Sequence, residues 1–303
     1  MRIALVTADL AGLHDHDADM GLIVSALARR GVEAVPTNWD DSWVDWAAFD
    51  LIVMRSPWDY SQRFDEFNDW LADVAVNGRI LNCRHVIGWN ANKPYLGELA
   101  RAGVPVVATS YANDVGELAD ALGRVDALRV VVKPTVSAGS KDTGLFEVGD
   151  RAADELGRRI LAAGKSVMVQ PGIDSVATRG ERALLYFDGE YSHTASKGPI
   201  LDLGGGLIGG QYTEAIRSVQ PEAGELHVAA AAHAAITGII RRLCDCRGAA
   251  LLYARFDIVR GEDEYLLLEA ELFEPAYFLW TDERAADRFS AAVIGRLEAL
   301  MDD

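Results

Sequence analysis

Basic residues are scarce in this chain. Its 303 residues include 29 lysines and arginines against 46 acids, a formal net charge of −17. Such a surface repels polyanions, which argues against nucleic-acid and anionic-membrane partners. A cleft that holds a nucleotide needs only a few local lysines and stays open. Cysteine is scarce too, limited to Cys83, Cys244 and Cys246. An odd count without repeating spacing makes no disulfide framework. The Cys-x-Cys pair lacks the second pair of a metal site and reads as packing or surface thiols. A reducing cytoplasm is the expected compartment. No apolar stretch is expected to reach the roughly 18 residues that span a bilayer. The opening MRIALVTADL is a short apolar run ending in an acid, and is expected not to act as a signal peptide. Two nucleotide signatures are missing as well. The segment after the first apolar run, TADLAGLHDHDAD, lacks G-x-G-x-x-G, and G-x-x-x-x-G-K-[ST] does not occur. That removes the sequence support for a dinucleotide fingerprint and for a Walker loop.

What is present is a chain half apolar and long enough for two or three small domains. RIALVT (2–7), VEAVPT (32–37), DLIVMRS (50–56) and RILN (79–82) read as strands. They alternate with helices at 18–30, ending at Gly31, and at a face made by Phe64, Phe67, Trp70, Leu71 and Val74. Strand–helix alternation argues for a parallel sheet, so residues 1–88 form an α/β unit. From 89 onward the pattern becomes α+β. A helix at 92–102 precedes strands at 129–133, 144–148, 166–170, 182–187, 190–194, 251–259 and 264–269. Helices are read at 114–123, 150–163, 222–243 and 283–301. The expected division is 1–88, a linking helical segment 89–124, a small subdomain 125–168 and a C-terminal subdomain 169–303.

Three segments have the makings of chemistry. In VVKPTVSAGSKDTG (131–144) a strand delivers Lys133 to a loop of small residues, among them Ser137, Gly139 and Ser140. Backbone N–H groups there can approach an anion closely, and the lysine adds a point charge; the bland alternative is a flexible hairpin loop. In LLYARFDIVRGEDEYLLLEAELFEP (251–275) two strands read as a hairpin. Asp257 lies on the first, and Glu269 and Glu271, two apart on the second, share a face. Carboxylates converging on one site need a cation between them, and magnesium bridging phosphates is the usual solution. A solvated charged face is the alternative. In MVQPGID (168–174) an extended stretch broken by Pro171 and Gly172 offers backbone groups to a base edge, and a hairpin ending near Lys197 follows. At the carboxyl end of the third strand, Arg55, Ser56, Trp58 and Tyr60 read equally as substrate contacts or as a packed turn. The HDHD run at 14–17 looks metal-like, but contiguous residues rarely converge on one ion. It reads as a solvated loop, and GGGLIGG (204–210) as a loop able to fold over a small ligand or lie on the surface.

In this order the segments resemble the ATP-grasp superfamily of ligases, over residues 89–280. The resemblance implies an ATP-grasp fold with a preceding N-terminal parallel α/β domain. It implies ATP and Mg2+ as cofactors, with Mn2+ as a substitute ion. Lys93 of WNANKPYLGELARAGVP and Lys133 match the two phosphate-holding lysines. Residues 137–143 match the mobile flap over the triphosphate. Gln170, Pro171 and Gly172 match the hinge that reads adenine, with Asp174 near the ribose. Asp257 and Glu269 match the metal-binding acids. Glu271 stands where the family often has asparagine, so it binds metal or faces the substrate. Lys197 and Arg255 are the expected stabilisers of the transferred phosphoryl group or of a tetrahedral oxyanion. RSPWDY, WN-x-x-K, VSAGSKDT, SHTASKG and LEAELFEP further resemble the cycloserine synthetase type, a cyclo-ligase of antibiotic biosynthesis that closes O-ureido-serine to cycloserine. Three functions compete: that cyclo-ligase acting on a small amino-acid derivative, an intermolecular amino-acid or peptide ligase, and a nucleotide-binding protein that catalyses nothing. The full set of lysines and acids argues against the third. A homodimer is compatible with all three.

Overall fold

The computed structural model describes residues 1–9, 17–208, 215–243 and 251–301. Cys244, Cys246, residues 14–16 of the HDHD run and Gly209–Gly210 lie outside them.

The strands β1 (Arg2–Thr7), β2 (Glu33–Asn38), β3 (Leu51–Ser56) and β4 (Ile80–Leu81) form a parallel sheet in the order β2-β1-β3-β4. The runs in β1 and β3 are apolar because both faces are covered: every residue of β3 and all but the first of β1 are buried. Helices α1 (Met20–Ala28) and α2 (Phe64–Asn77) make the crossovers. On α2 the expected face is there, with Phe67, Leu71 and Val74 buried and Phe64 and Trp70 packed at its margin.

Two short helices follow, α3 (Arg84–Asn90), which was not expected, and α4 (Tyr95–Arg101), within the helix expected at 92–102. A small antiparallel sheet then forms from β5 (Ser110–Ala112), β6 (Arg129–Pro134), β7 (Gly144–Glu147) and β8 (Val167–Pro171), in the order β5-β8-β6-β7. Helices α5 (Val115–Gly123) and α6 (Arg151–Ala162) pack on it through Leu118, Ala121, Leu156 and Ile160. Strand β5 and helix α5, from the segment read as linking, pack in this small layer. The three-residue β5 leaves too little periodicity to see.

The large sheet is antiparallel, in the order β11-β10-β9-β12-β13, from β9 (Glu181–Phe187), β10 (Glu190–Lys197), β11 (Ile216–Val219), β12 (Tyr253–Arg260) and β13 (Tyr265–Glu271). Strand β10 runs three residues past its expected end, which puts Lys197 on the strand. After the short helix α7 (Val176–Arg179), which precedes β9, helix α8 (Ala223–Leu243) covers one face, burying Val228, Ala232, Ile236 and Ile240 with α3 and α4. It is long and apolar enough by length and composition to cross a membrane, so the expectation of no such stretch is corrected. Its alanines brought it below notice, and here its apolar side is part of the core. Helix α9 (Ala285–Met301) covers the other face and joins the large sheet to β1 and β3 through Phe289, Val293 and Leu297.

Candidate active site

A cavity of about 1200 Å³ is lined by both antiparallel sheets and by the 137–143 loop. On β12 and β13, Asp257 pairs directly with Glu269 and Arg255 with Glu271, so all four side chains emerge on neighbouring strands. The edge of β13 is clamped from α3 and α4. Tyr95 Oη accepts from Ala270 N at 3.0 Å and donates to its oxygen at 2.9 Å. Asn90 Nδ2 donates to Ala270 O at 2.8 Å, and its Oδ1 accepts from Leu272 N at 2.8 Å. These clamps explain the chemistry of the WN-x-x-K segment beyond its lysine. The sequence reading did not find them.

The charges interlock. Arg255 holds Asp257 with two hydrogen bonds of 2.9 Å, a bidentate pair, and donates to Glu271 through Nη2. Lys197 reaches Asp257 at 2.8 Å and Glu181 at 3.0 Å. Lys93 reaches Glu269 at 3.1 Å and donates to Ser137 O at 3.2 Å. Lys133 has no ion pair or hydrogen bond of its side chain among the described residues. Burial works against Asp257's charge, but Arg255 and Lys197 outweigh it and hold the carboxyl down at about 2. Glu269 is likewise kept below its ordinary value by Lys93 and Lys133 against burial. Burial pushes Glu271 up to about 7 despite Arg255. Burial also lowers Lys133, with Lys93 and Lys197 adding to it and Glu269 opposing. A cation held in this state gains from any anion brought to it.

Gly180 lets β9 begin beside Lys197. Its φ is +66°, and a Cβ there would fall 2.0 Å from Lys197 O. Ser137, Gly139 and Ser140 line the cavity from the loop, where Gly139, Ser140 and Asp142 all have positive φ. Gln170 and Pro171 line it from β8 and Gly172 from just beyond, Gln170 donating to Thr109 Oγ1 at 3.0 Å. Trp58 reaches it from the N-terminal unit, its indole N–H donating to Glu274 O at 3.0 Å.

Four expected site residues are elsewhere. Arg55 is fully buried between Asp17 and Asp19, 2.9 Å from each, and lies over the Tyr277 ring at 4.2 Å. It also donates to Pro275 O, so its guanidinium faces the interior and is spent on structure. Ser56 is buried, donating to Asp17 at 2.9 Å. Tyr60 is buried against Phe67 and Phe273. Asp174 is exposed, 3.7 Å from Arg129, and outside the cavity lining. The RSPWDY turn is thus a packed turn that offers only Trp58. Asp17, the last residue of the HDHD run, is an ion-pair partner. Glu181 and Glu274, which the sequence reading passed over, line the cavity.

Four basic groups facing several carboxylates suit a polyanion bound together with a hard cation. A family model described as D-cycloserine synthetase DcsG, N-terminal domain, matches residues 3–82. The chain is 33% identical over 290 residues to the cycloserine biosynthesis protein DcsG of Streptomyces lavendulae, covering 93% of the chain and 95% of that protein. The crystal structure of D-cycloserine synthetase DcsG matches with a TM-score of 0.88 at 33% identity, over 98% of this chain and 100% of that one. The ATP-grasp ligase PsnB, complexed with a phosphomimetic variant of its minimal precursor, Mg and ADP, matches with a TM-score of 0.63. At 17% identity, over 97% of this chain and 98% of that one, the last likeness concerns the fold alone.

Proposed function

This chain belongs to the DcsG family of ATP-grasp ligases, and from that premise we propose that it is a cyclo-ligase that converts O-ureido-D-serine to D-cycloserine at the expense of ATP. The observation that carries the reading is Lys133, a half-buried cation that lines the cavity and makes no ion pair or side-chain hydrogen bond among the described residues. It supplies what a phosphate lacks in solution, a fixed positive charge with little competing water.

A carboxylate is a poor electrophile, and phosphorylation turns it into an acyl phosphate with a good leaving group. The ureido nitrogen bonded to oxygen then attacks the same molecule's acyl carbon, closing the ring and expelling phosphate. Loss of the carbamoyl group with one water, as CO2 and ammonia, balances the conversion. Holding both ends of one molecule replaces a collision by a rotation, which gives ring closure a high effective molarity.

The acids fit magnesium. Asp257 and Glu269 offer hard oxygens side by side, both kept ionised. Among the described residues no three His, Cys, Asp or Glu form a closed group for a metal. Magnesium is commonly held by one or two carboxylates, with phosphate oxygens and water completing the shell. Asp257 and Glu269 would hold the ion, which would neutralise phosphate charge. Lys93 and Lys133 hold the phosphates, and Gln170, Pro171 and Gly172 face the base. Arg255 and Lys197 lie beside Asp257 and stabilise the transferred group and the tetrahedral oxyanion. Glu271 is engaged by Arg255 and orients it. The 137–143 loop excludes water from the acyl phosphate. The substrate is a small amino-acid derivative, and the reaction is placed in the cytoplasm, where ATP is available.

The test is incubation with ATP and Mg2+, first with O-ureido-D-serine alone and then with pairs of ordinary amino acids. Cycloserine and ADP in the first tube are expected. ADP formed only when a second amine is present, with a linear amide as product, would replace cyclisation by intermolecular ligation.

A further inference from the structure

The pairing of charges around the cavity floor is nearly complete. Asp257, Glu269, Glu271 and Glu181 each have a lysine or arginine partner. Glu274 also lines the cavity, and among the described residues it has no cation at ion-pair distance. Burial pushes its carboxyl group well above the ordinary carboxylate range, with Glu271 adding to this and Tyr60 and Lys93 opposing it, so the group gains from a cation brought to it. One of its oxygens, Oε2, is buried without a hydrogen-bond partner. Buried carboxylate oxygens are nearly always satisfied, so a lone one beside a ligand cavity needs an explanation.

Resting on the ligase reading above, we propose that Glu274 receives the α-ammonium group of the amino-acid substrate. An ammonium brings both the positive charge and the N–H donors that Glu274 lacks. The neighbouring acids are poorer acceptors for it. Glu271 is engaged by Arg255, and Glu269 by Lys93. The substrate's carboxylate is drawn to the basic side of the cavity, and the ammonium on the adjacent carbon then falls on the acidic side.

The segment carrying Glu274 is firmly held. Arg55 donates to Pro275 O, and Asp19 accepts from the backbone N–H of Tyr277, Phe278 and Leu279 at 2.6, 3.2 and 2.8 Å. Trp58 holds the Glu274 carbonyl. A carboxylate on so braced a segment loses little freedom on binding, which favours discrimination. Two fixed points, one for each charged group, send the side chains of the two enantiomers in different directions, so that a third contact, on the side chain, completes the choice between them.

Calorimetric titration in ADP and Mg2+ tests this, using O-ureido-D-serine and the same molecule without its amino group, 3-(ureidooxy)propanoate. The native protein is expected to prefer the amino acid by about 10- to 100-fold, the range of one charge-assisted hydrogen bond. In Glu274→Gln the preference should collapse to within about 3-fold while ADP affinity is unchanged, since the two losses are coupled. Glu274→Asp, which keeps the charge, should retain part of it. Should Glu274→Gln fail to bind ADP, Glu274→Met carries the same test, filling the space without polar atoms. A variant that binds ADP and discriminates as the native protein does overturns the role of Glu274 and leaves the ligase reading standing. A native protein that binds neither compound overturns both.

Discussion

Replacing Arg55 with methionine removes the cation from a closed, dry arrangement. Arg55 has no exposed surface, and it stands 2.9 Å from both Asp17 and Asp19. Breaking one side of a buried ion pair costs about 3–5 kcal/mol, chiefly because a charge is left unpaired. The remaining contacts reduce this. Asp19 keeps three backbone N–H donors and Asp17 keeps Ser56. Burial has already raised the Asp19 carboxyl against the pull of Arg55, so without the arginine it takes up a proton more readily. A loss near 3 kcal/mol follows, at about the low end of that range. For a chain of this size it corresponds to a Tm lower by roughly 6 °C. The assay is a calorimetric scan at pH 7, paired with steady-state kinetics. KM for the acid substrate should rise no more than KM for ATP, because Arg55 lies outside the cavity lining. An unchanged Tm with a selective rise in KM for the acid would refute this and make Arg55 a substrate contact.

Three further outcomes are expected. Asp257→Asn and Glu269→Gln should each abolish turnover with the fold intact by circular dichroism; normal magnesium-dependent rates in both would misplace the metal site. Limited proteolysis should cut within 137–143, and ATP with Mg2+ should protect it, because the loop is partly exposed and contributes to the cavity; equal cleavage with and without nucleotide would count against a closing flap. His193 is buried, and burial lowers its imidazole to about 4, with Nε2 held by Tyr277 O at 2.7 Å. Between the unfolded value near 6.5 and 4 the unfolded chain binds the extra proton, so stability is present above that window and falls with pH through it. The full loss is about 3 kcal/mol at 1.36 kcal/mol per pKa unit, and His193→Gln should flatten the profile in urea titrations at pH 7 and pH 4.5.

Much of the frame was legible because its elements are periodic. The parallel unit shows in the continuous apolar runs of β1 and β3, which only a sheet covered on both faces requires. Strand alternation put Glu269 and Glu271 on one face and the hairpin reading brought Asp257 beside them, and Asp257 and Glu269 are cross-strand partners. What failed was direction and length. Strand ends carry no signal for whether a side chain turns inward or toward a cleft. Arg55, Ser56 and Tyr60 therefore read equally as substrate contacts or as a packed turn, and Asp17 and Asp19 around the guanidinium favour the turn. Strands as short as β5 and β11 hold too few residues to show a period. Glu274 was passed over because its neighbours in sequence are apolar, and the cavity it faces is built by elements distant in the chain.

The central claim is that the substrate's own carboxylate is activated as an acyl phosphate before the ring closes. O-ureido-D-serine labelled with 18O in both carboxylate oxygens tests it directly, with the phosphate analysed by mass spectrometry. One 18O should appear in each phosphate released and one should remain in the cycloserine carbonyl. Unlabelled phosphate accompanying labelled cycloserine would contradict the account, because ATP would then be hydrolysed by water without activating the acid.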